Sequence, residues 1–164
     1  MSFIVENGSA LSNATSYASV EDLDGYYSSL GVDLSTESTI TKEVWLNKAT
    51  AHIDNKYCFK GDIVLETQAL QFPRNYVYDK NNYSLSSESV PLQVKKATYE
   101  LAMEVKTNPT LETEANISSK KIGPVTINYG ANENGVVGNG GGSNKILNFL
   151  KSLLCDGQLN VFRT

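Results

Sequence analysis

The strongest structural signal lies in residues 89–106, which read SVPLQVKKATYELAMEVK. Apolar or small side chains recur there every three or four positions, as they do on one face of an α-helix. Ser89 is a candidate N-cap, Pro91 fits a first helical turn, and Asn108-Pro109 provides a stop. The stripe consists of Val94, Ala97, Thr98, Leu101, Ala102 and Val105. This stretch predicts a long amphipathic helix that needs partner helices, and therefore a mainly α fold.

Further helices are predicted on both sides of this stretch. The first begins after the candidate N-cap Ser19, carries an apolar stripe and ends before Gly31. The second runs from about Thr41 to Tyr57, and the last from Asn144 to Leu154 behind the candidate cap Ser143. Residues 64–70 are also compatible with a short helix, which Pro73 would end. The stripe of the first helix is Val20, Leu23, Tyr27 and Leu30.

The predicted β structure is small. Val125, Ile127 and Tyr129 alternate with polar residues, which indicates a half-buried strand or hairpin near 122–129. The termini look extended, and residues 130–142 hold six glycines, which is typical of a flexible loop. The sequence therefore predicts a small, mainly α-helical bundle with a minor β element and extended termini, in a single domain spanning 1–164.

The length, charge and apolar content of the chain limit the classes of protein to which it can belong. A chain of 164 residues with 40% hydrophobic and 20% charged residues suits one soluble domain. Its 14 basic and 18 acidic residues give a net charge of −4, whereas nucleic-acid binders usually carry a basic excess. No run approaches the roughly 20 apolar residues of a membrane span, and no signal peptide is visible. Cys58 and Cys155 are far apart and are predicted to be free thiols of a cytoplasmic protein.

No combination of residues supports catalysis. His52 is the single histidine and lies on a predicted helix, where a structural or surface role is far commoner than a catalytic one. With one histidine and two distant cysteines, a zinc site of the usual type is not expected. The glycines before Lys145 fail the phosphate-loop pattern, because Ile146 follows the lysine. We therefore expect neither an enzyme nor a cofactor. The carboxylates of Glu21, Asp22 and Asp24 suit a solvated helix N-terminus better than a cation site.

Segment 42–60 is the best candidate for nucleic-acid contact. Its four lysines outnumber its two acidic residues, and aromatic side chains lie between them, as in proteins that hold single strands. The same aromatic residues also have the spacing of a helix that buries one face. We favour core packing, with DNA contact as the alternative. The residues concerned are Trp45, Lys48, His52, Lys56, Tyr57, Phe59 and Lys60.

Phe72-Pro73-Arg74 predicts a corner. Pro73 fixes the chain direction, Phe72 anchors the turn in the core, and the guanidinium of Arg74 can bind a carboxylate or backbone carbonyls. A structural corner and an interface anchor fit this motif equally well. The loop of about 15 residues that follows, Asn75 to Ser89, is long enough to be functional or packed on itself.

The C-terminal segment 143–164 is apolar around most of its helix. We predict an assembly element that docks outside its own domain, with a fully buried closing helix as the rival interpretation. The candidate contact residues are Phe149, Leu150, Leu153, Leu154, Leu159, Val161, Phe162 and Arg163, together with Arg74.

Seven blocks distributed along the chain resemble one family of small tailed-phage proteins, the head–tail adaptors, which also carry a DnaT-like single-stranded-DNA-binding description. The order and spacing of the blocks carry the resemblance, which covers most of the chain, and the insert at 130–142 departs from it. The blocks are Phe3–Gly8, Asn13–Val20, Ala49–Asp54, Gln68–Arg74, Val90-Pro91 with Lys96–Ala102, Lys121–Val125 and Val161–Thr164.

The resemblance implies a mostly helical virion protein that is assembled in the host cytoplasm and located at the head–tail junction. Such adaptors form rings, commonly of twelve copies, that join the portal protein to a downstream neck or tail protein. DNA would pass through the ring without specific binding, and no membrane would be involved. The alternative is a DnaT-like single-stranded-DNA-binding accessory protein, against which the net charge of −4 predicts weak affinity at physiological salt.

Overall fold

The computed structural model describes residues 2–109, 111, 119–122, 125–128 and 144–155. The described part is mainly α-helical, with two short antiparallel strand pairs, β1 with β2 and β3 with β4. This confirms the predicted fold class. The elements are α1 (Val20–Ser29), α2 (Thr39–Lys56), β1 (Asp62–Ile63), β2 (Arg74–Asn75), α3 (Leu92–Thr107), β3 (Ser119–Ile122), β4 (Val125–Asn128) and α4 (Asn144–Leu150).

Helix α3 is the centre of the core and packs against both α2 and α4. All six residues of its predicted stripe are buried, and Asn108 is its C-cap as expected. The predicted N-cap is wrong. The cap position falls on Pro91, which makes no side-chain capping bond, so Ser89 lies two residues outside the helix. Because Pro91 at the cap position lacks an N–H, this helix end has one donor fewer to satisfy.

Helix α1 begins as the sequence predicts. The Ser19 hydroxyl accepts a hydrogen bond from the Asp22 N–H at 3.1 Å. Gly31 has φ +77°, the left-handed conformation of a C-terminal stop. Leu30, however, is 56% exposed at the C-cap, so the buried stripe ends at Tyr27.

Helix α2 buries one face against α3, and core packing is confirmed for Trp45, Ala49 and Ile53. Lys42, near the start of α2, is only 4% exposed although it carries a charge. Its ammonium group reaches Asp24 on α1 at 2.8 Å, and this ion pair compensates for burial of the charge.

The Phe72-Pro73-Arg74 corner is structural. Phe72 is 1% exposed, and the Phe72–Pro73 peptide bond is cis. The Arg74 guanidinium donates to the carbonyls of Lys60 at 2.9 Å and Gly61 at 2.6 Å, and its third nitrogen donates to Gln71 Oε1 at 2.8 Å. Of the two interpretations of this motif, these bonds support the corner.

Residues 64–70 form turns, so the short helix predicted there is wrong. The Gln68 side chain supplies the hydrogen bonds that a helix would otherwise make. Its Oε1 accepts from the N–H groups of Val64 and Leu65 at 2.9 and 3.0 Å, and its Nε2 donates to the Leu70 carbonyl at 2.7 Å. Side-chain bonds of this kind compete directly with helical ones.

The C-terminal helix is shorter than predicted, and it belongs to the core. Helix α4 ends at Leu150, and residues 151–153 continue as a turn. Ile146, Leu150, Leu153 and Leu154 are all at most 1% exposed. The prediction that this segment lies outside the self-contained core is therefore wrong for the described part, and the rival interpretation, a buried closing helix, holds. Helix α4 packs against α3, and beyond the end of the helix Leu154 pairs with Phe59 in an antiparallel bridge, so both parts of the segment are covered.

The two cysteines are joined, which corrects the prediction of free thiols. Cys58 and Cys155, 97 positions apart in sequence, form a disulfide with Cα atoms 5.5 Å apart. The backbone N–H of Cys155 also donates to the Cys58 carbonyl at 3.0 Å. The fold brings the end of α2 and the end of the C-terminal turn side by side, which spacing along the chain does not reveal.

Other predicted features fall only partly within the described residues. At the extended N-terminus, Val5 forms a parallel bridge with Ser16. The loop 130–142 and the candidate contact residues Leu159, Val161, Phe162 and Arg163 lie outside the described residues. No helix of the described part is long and apolar enough to cross a membrane.

Candidate nucleic-acid interface

A cleft of about 610 Å³ lies between the loop that follows β2 and the C-terminal segment. Its volume falls in the usual range of ligand sites, about 300–1,000 Å³. Three parts of the chain form its walls: the residue that follows the Phe59 bridge, the loop 78–82, and the last turn of α4 with the turn after it. The lining residues are Lys60, Tyr78, Asp79, Lys80, Asn82, Asn148, Lys151 and Ser152.

The cleft is basic although the protein is acidic. Three lysines and one aspartate line it, which gives a formal charge of +2. The aspartate is occupied within its own loop, because Asp79 Oδ1 accepts from the N–H groups of Asn81 at 2.8 Å and Tyr83 at 2.9 Å. Lys80 and Lys151 are exposed. The positive field therefore comes mainly from side chains whose ends reach solvent, where an anion can approach them.

Three exposed tyrosines lie within or next to the loop 78–82. Tyr76 and Tyr83 are each 73% exposed, and Tyr78 is 45% exposed at the edge of the cleft. Tyr76 has φ +59°, a left-handed conformation that is uncommon for a bulky residue. Large aromatic rings left in water are typical of surfaces that bind a partner or a base.

The loop that carries these rings is packed on itself. Val77 is 1% exposed and anchors the loop in the core. Its carbonyl accepts from the Leu85 N–H at 2.8 Å, and the Asp79 N–H donates to the Tyr83 carbonyl at 2.9 Å. Tyr78 and Ser84 form an antiparallel bridge across the loop. Of the two roles expected for a loop of this length, the self-packed one is confirmed, and this order holds the rings in place.

The opposite wall is held by backbone bonds. The Lys60 N–H donates to the Leu153 carbonyl at 2.8 Å, next to the Phe59–Leu154 bridge. Burial of Leu150 and Leu153 in the core fixes the side from which Lys151 and Ser152 project. The lysines of the cleft thus stand on ordered backbone, although the side chains themselves are long.

Of the aromatic residues in segment 42–60, Trp45 and Phe59 are buried and not available for stacking, and Tyr57 is half-buried with the Lys56 ammonium 5.7 Å from its ring centroid. Trp45 is 8% exposed, and the ammonium group of Lys106 lies 5.4 Å from its ring centroid. Lys48 donates to the Pro109 carbonyl at 3.1 Å on another face of α2. Of the basic and aromatic residues in segment 42–60, Lys60 alone lines the cleft.

His52 is half-buried, and its Nε2 has no hydrogen-bond partner within the described residues. Burial, with a smaller contribution from the charge of Lys56, lowers the pKa of its imidazole. Cys58 is committed to the disulfide, so it cannot act as a thiol partner for this histidine while the bond is intact. Across the described ranges, no three His, Cys, Asp or Glu side chains come together as a metal site.

The candidate contact residues of the C-terminal segment do not share one surface. Leu150, Leu153 and Leu154 are buried, while Phe149 is half-buried against the core. Arg74 is committed to the corner. The structure therefore brings none of these five together as an exposed patch in the described part of the chain.

One family of known proteins matches the whole chain. Residues 1–164 match the model of a family described as "Putative DnaT-like ssDNA binding protein".

The chain belongs to this family. It has no significant match among curated proteins or among solved structures. The resemblance to the DnaT-like description is therefore confirmed over the full length, whereas the head–tail adaptor role stays a prediction.

Sequence reasoning missed most of the cleft. Lys80 falls in the long loop predicted from Asn75 to Ser89 and Lys151 in the last predicted helix, and neither these lysines nor the three tyrosines were assigned a binding role. The available signal was the pattern Tyr76-Val77-Tyr78-Asp79-Lys80, in which two aromatics flank one apolar anchor beside a lysine. Contact with Lys151 could not be predicted, because 71 positions separate it from Lys80 and only the tertiary fold joins them.

Proposed function

We propose that this protein binds single-stranded DNA in the cleft between loop 78–82 and the C-terminal segment. The observation that carries the proposal is that the exposed Tyr78 lines the cleft together with three lysines, on an ordered loop flanked by the exposed Tyr76 and Tyr83. Ammonium groups pair with phosphates, and the aromatic faces accept stacked bases of any sequence. The family description supports the same ligand.

The local and overall charges act in opposite directions. The cleft has a formal charge of +2, while the whole chain has −4. Long-range attraction to DNA is therefore weak, and binding depends on short-range contacts with the lysines and on stacking. Stacking contributes about 1–3 kcal/mol per base. The expected behaviour is moderate affinity with little sequence preference.

A fluorescence-anisotropy titration with a short oligothymidine tests the proposal. We expect Tyr78→Ala and the triple variant Lys60→Ala/Lys80→Ala/Lys151→Ala each to weaken binding by about tenfold or more, since they remove stacking and phosphate contacts respectively. Lys48→Ala is the matched control, because it removes one exposed lysine of α2 outside the cleft, and its affinity should stay within about twofold of the wild type.

The result that contradicts the proposal is equally specific. If the wild type fails to bind the oligonucleotide at low salt, the DNA-binding function is wrong. If it binds and Lys48→Ala or Lys56→Ala weakens it more than the triple variant does, the DNA lies on α2 and the cleft is not the site. The proposal contains no catalytic step and no cofactor.

A second candidate function, a ring-forming head–tail adaptor, is favoured by a different surface. Four large aliphatic side chains are 40% or more exposed at the end of α1, in the connection that follows and on the first half of α2. Ile40 and Val44 are one helical turn apart, so they share a face of α2. Exposed aliphatic residues close together in sequence are typical of assembly surfaces. The four are Leu30, Val32, Ile40 and Val44.

In this second proposal the protein is a virion component that forms a ring, of twelve copies as in the adaptors it resembles, between the portal protein and a neck or tail protein. Negative-stain images of the protein alone and with its portal test it. Rings are expected for the wild type and should be lost in Ile40→Glu/Val44→Glu, with Glu43→Gln as the control on the same helix. A wild type that stays monomeric under both conditions rules this role out.

A further inference from the structure

The two disulfide-bonded cysteines are close in sequence to residues that line the cleft. Cys58 precedes the cleft residue Lys60 by two positions, and Cys155 follows the cleft residue Ser152 by three. The bond therefore connects two of the three walls of the site. The third wall, loop 78–82, is held by its own hydrogen bonds and by Val77.

Backbone contacts also join these two walls beside the cleft. The Phe59–Leu154 bridge contributes two backbone hydrogen bonds, Lys60 N–H to the Leu153 carbonyl at 2.8 Å and Cys155 N–H to the Cys58 carbonyl at 3.0 Å. Phe59 and Leu154 themselves are buried, whereas Cys58 and Lys151 on either side of the bridge are exposed, and exposed backbone opens locally most easily. The covalent bond closes a loop of 97 residues and so limits how far the two walls can separate.

The bond is open to chemical attack. Cys58 is exposed and Cys155 is half-buried. The thiolate of a small dithiol can attack Cys58 Sγ, which breaks the bond to Cys155 and releases the Cys155 thiolate to take up a proton. The second thiol of the reductant then loses its proton and attacks the mixed disulfide. Cys58 leaves as a thiolate and is protonated, and the reductant ends as a cyclic disulfide, having given two electrons to the protein.

We propose that the Cys58–Cys155 disulfide is a redox clamp that holds the cleft in its DNA-binding geometry, so that reduction by a dithiol weakens binding of single-stranded DNA. This inference rests on the proposed DNA-binding function. Its physical basis is pre-organisation: with the clamp closed, the backbone segments that carry Lys60 and Lys151 are tied together, and with the clamp open, part of the binding free energy is spent on ordering these two walls.

The test compares the full-length wild type, oxidised with a small-molecule disulfide or reduced with dithiothreitol, with Cys58→Ser/Cys155→Ser. Oligothymidine affinity is measured for each, and thiols are counted under denaturing conditions. The expected result is about fivefold or greater weakening on reduction. The double variant should bind like the reduced wild type and should not respond to dithiothreitol. Circular dichroism checks that each sample is folded.

A second readout separates this inference from the proposed function. Hydrogen exchange at the amides of Lys60 and Cys155 reports opening of the wall contact without any DNA, and we expect faster exchange after reduction. If oxidised protein binds no DNA but exchange at these amides still rises on reduction, the disulfide does restrain the two walls and it is the DNA-binding function that fails. If oxidised protein binds DNA with an affinity that reduction leaves unchanged, if exchange at these amides is unchanged by reduction, or if oxidised protein contains two free thiols, the clamp is overturned.

Discussion

At the scale of single residues, Asp54 connects three parts of the chain. The Tyr17 hydroxyl donates to Asp54 Oδ1, and the Gln71 N–H donates to Oδ2 at 3.1 Å. The Phe72 N–H in turn donates to the Tyr17 hydroxyl at 3.3 Å. One carboxylate on α2 thus fixes the N-terminal segment and the corner before β2. Burial is the main influence on the pKa of Asp54 and raises it from 3.8 to about 6, although the hydrogen bonds act in the opposite direction.

This raised pKa predicts a pH-dependent stability. Because the folded state holds the Asp54 proton more tightly than the unfolded state, the contribution is fully present below about pH 4 and is lost as the pH rises through about 6. Asp54→Asn, which does not titrate, is the reference. The unfolding free energy of the wild type relative to this variant should fall by about 1–3 kcal/mol between pH 4 and pH 6.5 in urea titrations. A constant difference across this range would show that Asp54 titrates normally.

At the scale of elements, α4 and the turn after it close the core. Ile146 and Leu150 are one helical turn apart and both buried, and Leu153 and Leu154 extend the same packing beyond the helix. The polar start of the helix is also tied down, since Lys145 donates to Glu100 of α3 at 2.8 Å. The carboxylate of Glu100 in turn accepts from the Tyr26 hydroxyl at 2.7 Å. An element with these contacts is part of the fold rather than an appendage.

Because α4 is part of the core, shortening one of its buried side chains should strongly lower the free energy of unfolding. Leu150→Ala should lower the unfolding free energy by about 2–5 kcal/mol, because it leaves a cavity at a fully buried position. Asn148→Ala, an exposed position on the same helix, should change it by less than about 0.5 kcal/mol. Both are measured by urea unfolding of the oxidised protein. A loss below about 0.5 kcal/mol for Leu150→Ala would mean that α4 is not part of the core in solution.

At the scale of the whole molecule, charge is distributed unevenly. A basic cleft occupies one face of a protein whose net charge is −4. Three lysines can neutralise at most three phosphates, so the counterions released on binding are few. The overall negative charge also discourages further, non-specific contacts with the DNA backbone.

The number of lysines in the cleft determines the expected salt dependence of DNA binding. For single strands, log K falls by about 0.7 per neutralised phosphate for each tenfold rise in salt. Three lysines therefore predict a slope of about −2 in a plot of log K against log of the NaCl concentration. The triple lysine variant should show a slope near zero wherever binding remains measurable. A wild-type slope of about −4 or steeper would indicate a larger electrostatic surface than the cleft supplies.

Local patterns were enough to predict the helices. The stripe of α3 from Val94 to Val105, the Ser19 cap and the Gly31 stop all follow from interactions within a few residues, and the structure contains each of them. Phe72 as a core anchor also followed from its motif. These features depend on helical periodicity and on capping, which neighbouring residues largely fix. The sequence by itself therefore determined the mainly α class and, through its ordered motifs, the family.

The tertiary structure alone decided the remaining features, because they join residues that are distant in sequence. The apolar circumference of α4 fits an assembly helix and a buried helix equally well, and contact with α3 and Phe59 makes it core. The disulfide closes across 97 residues. Lys60, Lys80 and Lys151 become one basic cleft only when three chain segments meet. Such contacts depend on how elements pack, and the free energy of packing is shared among many side chains, so no local pattern records it.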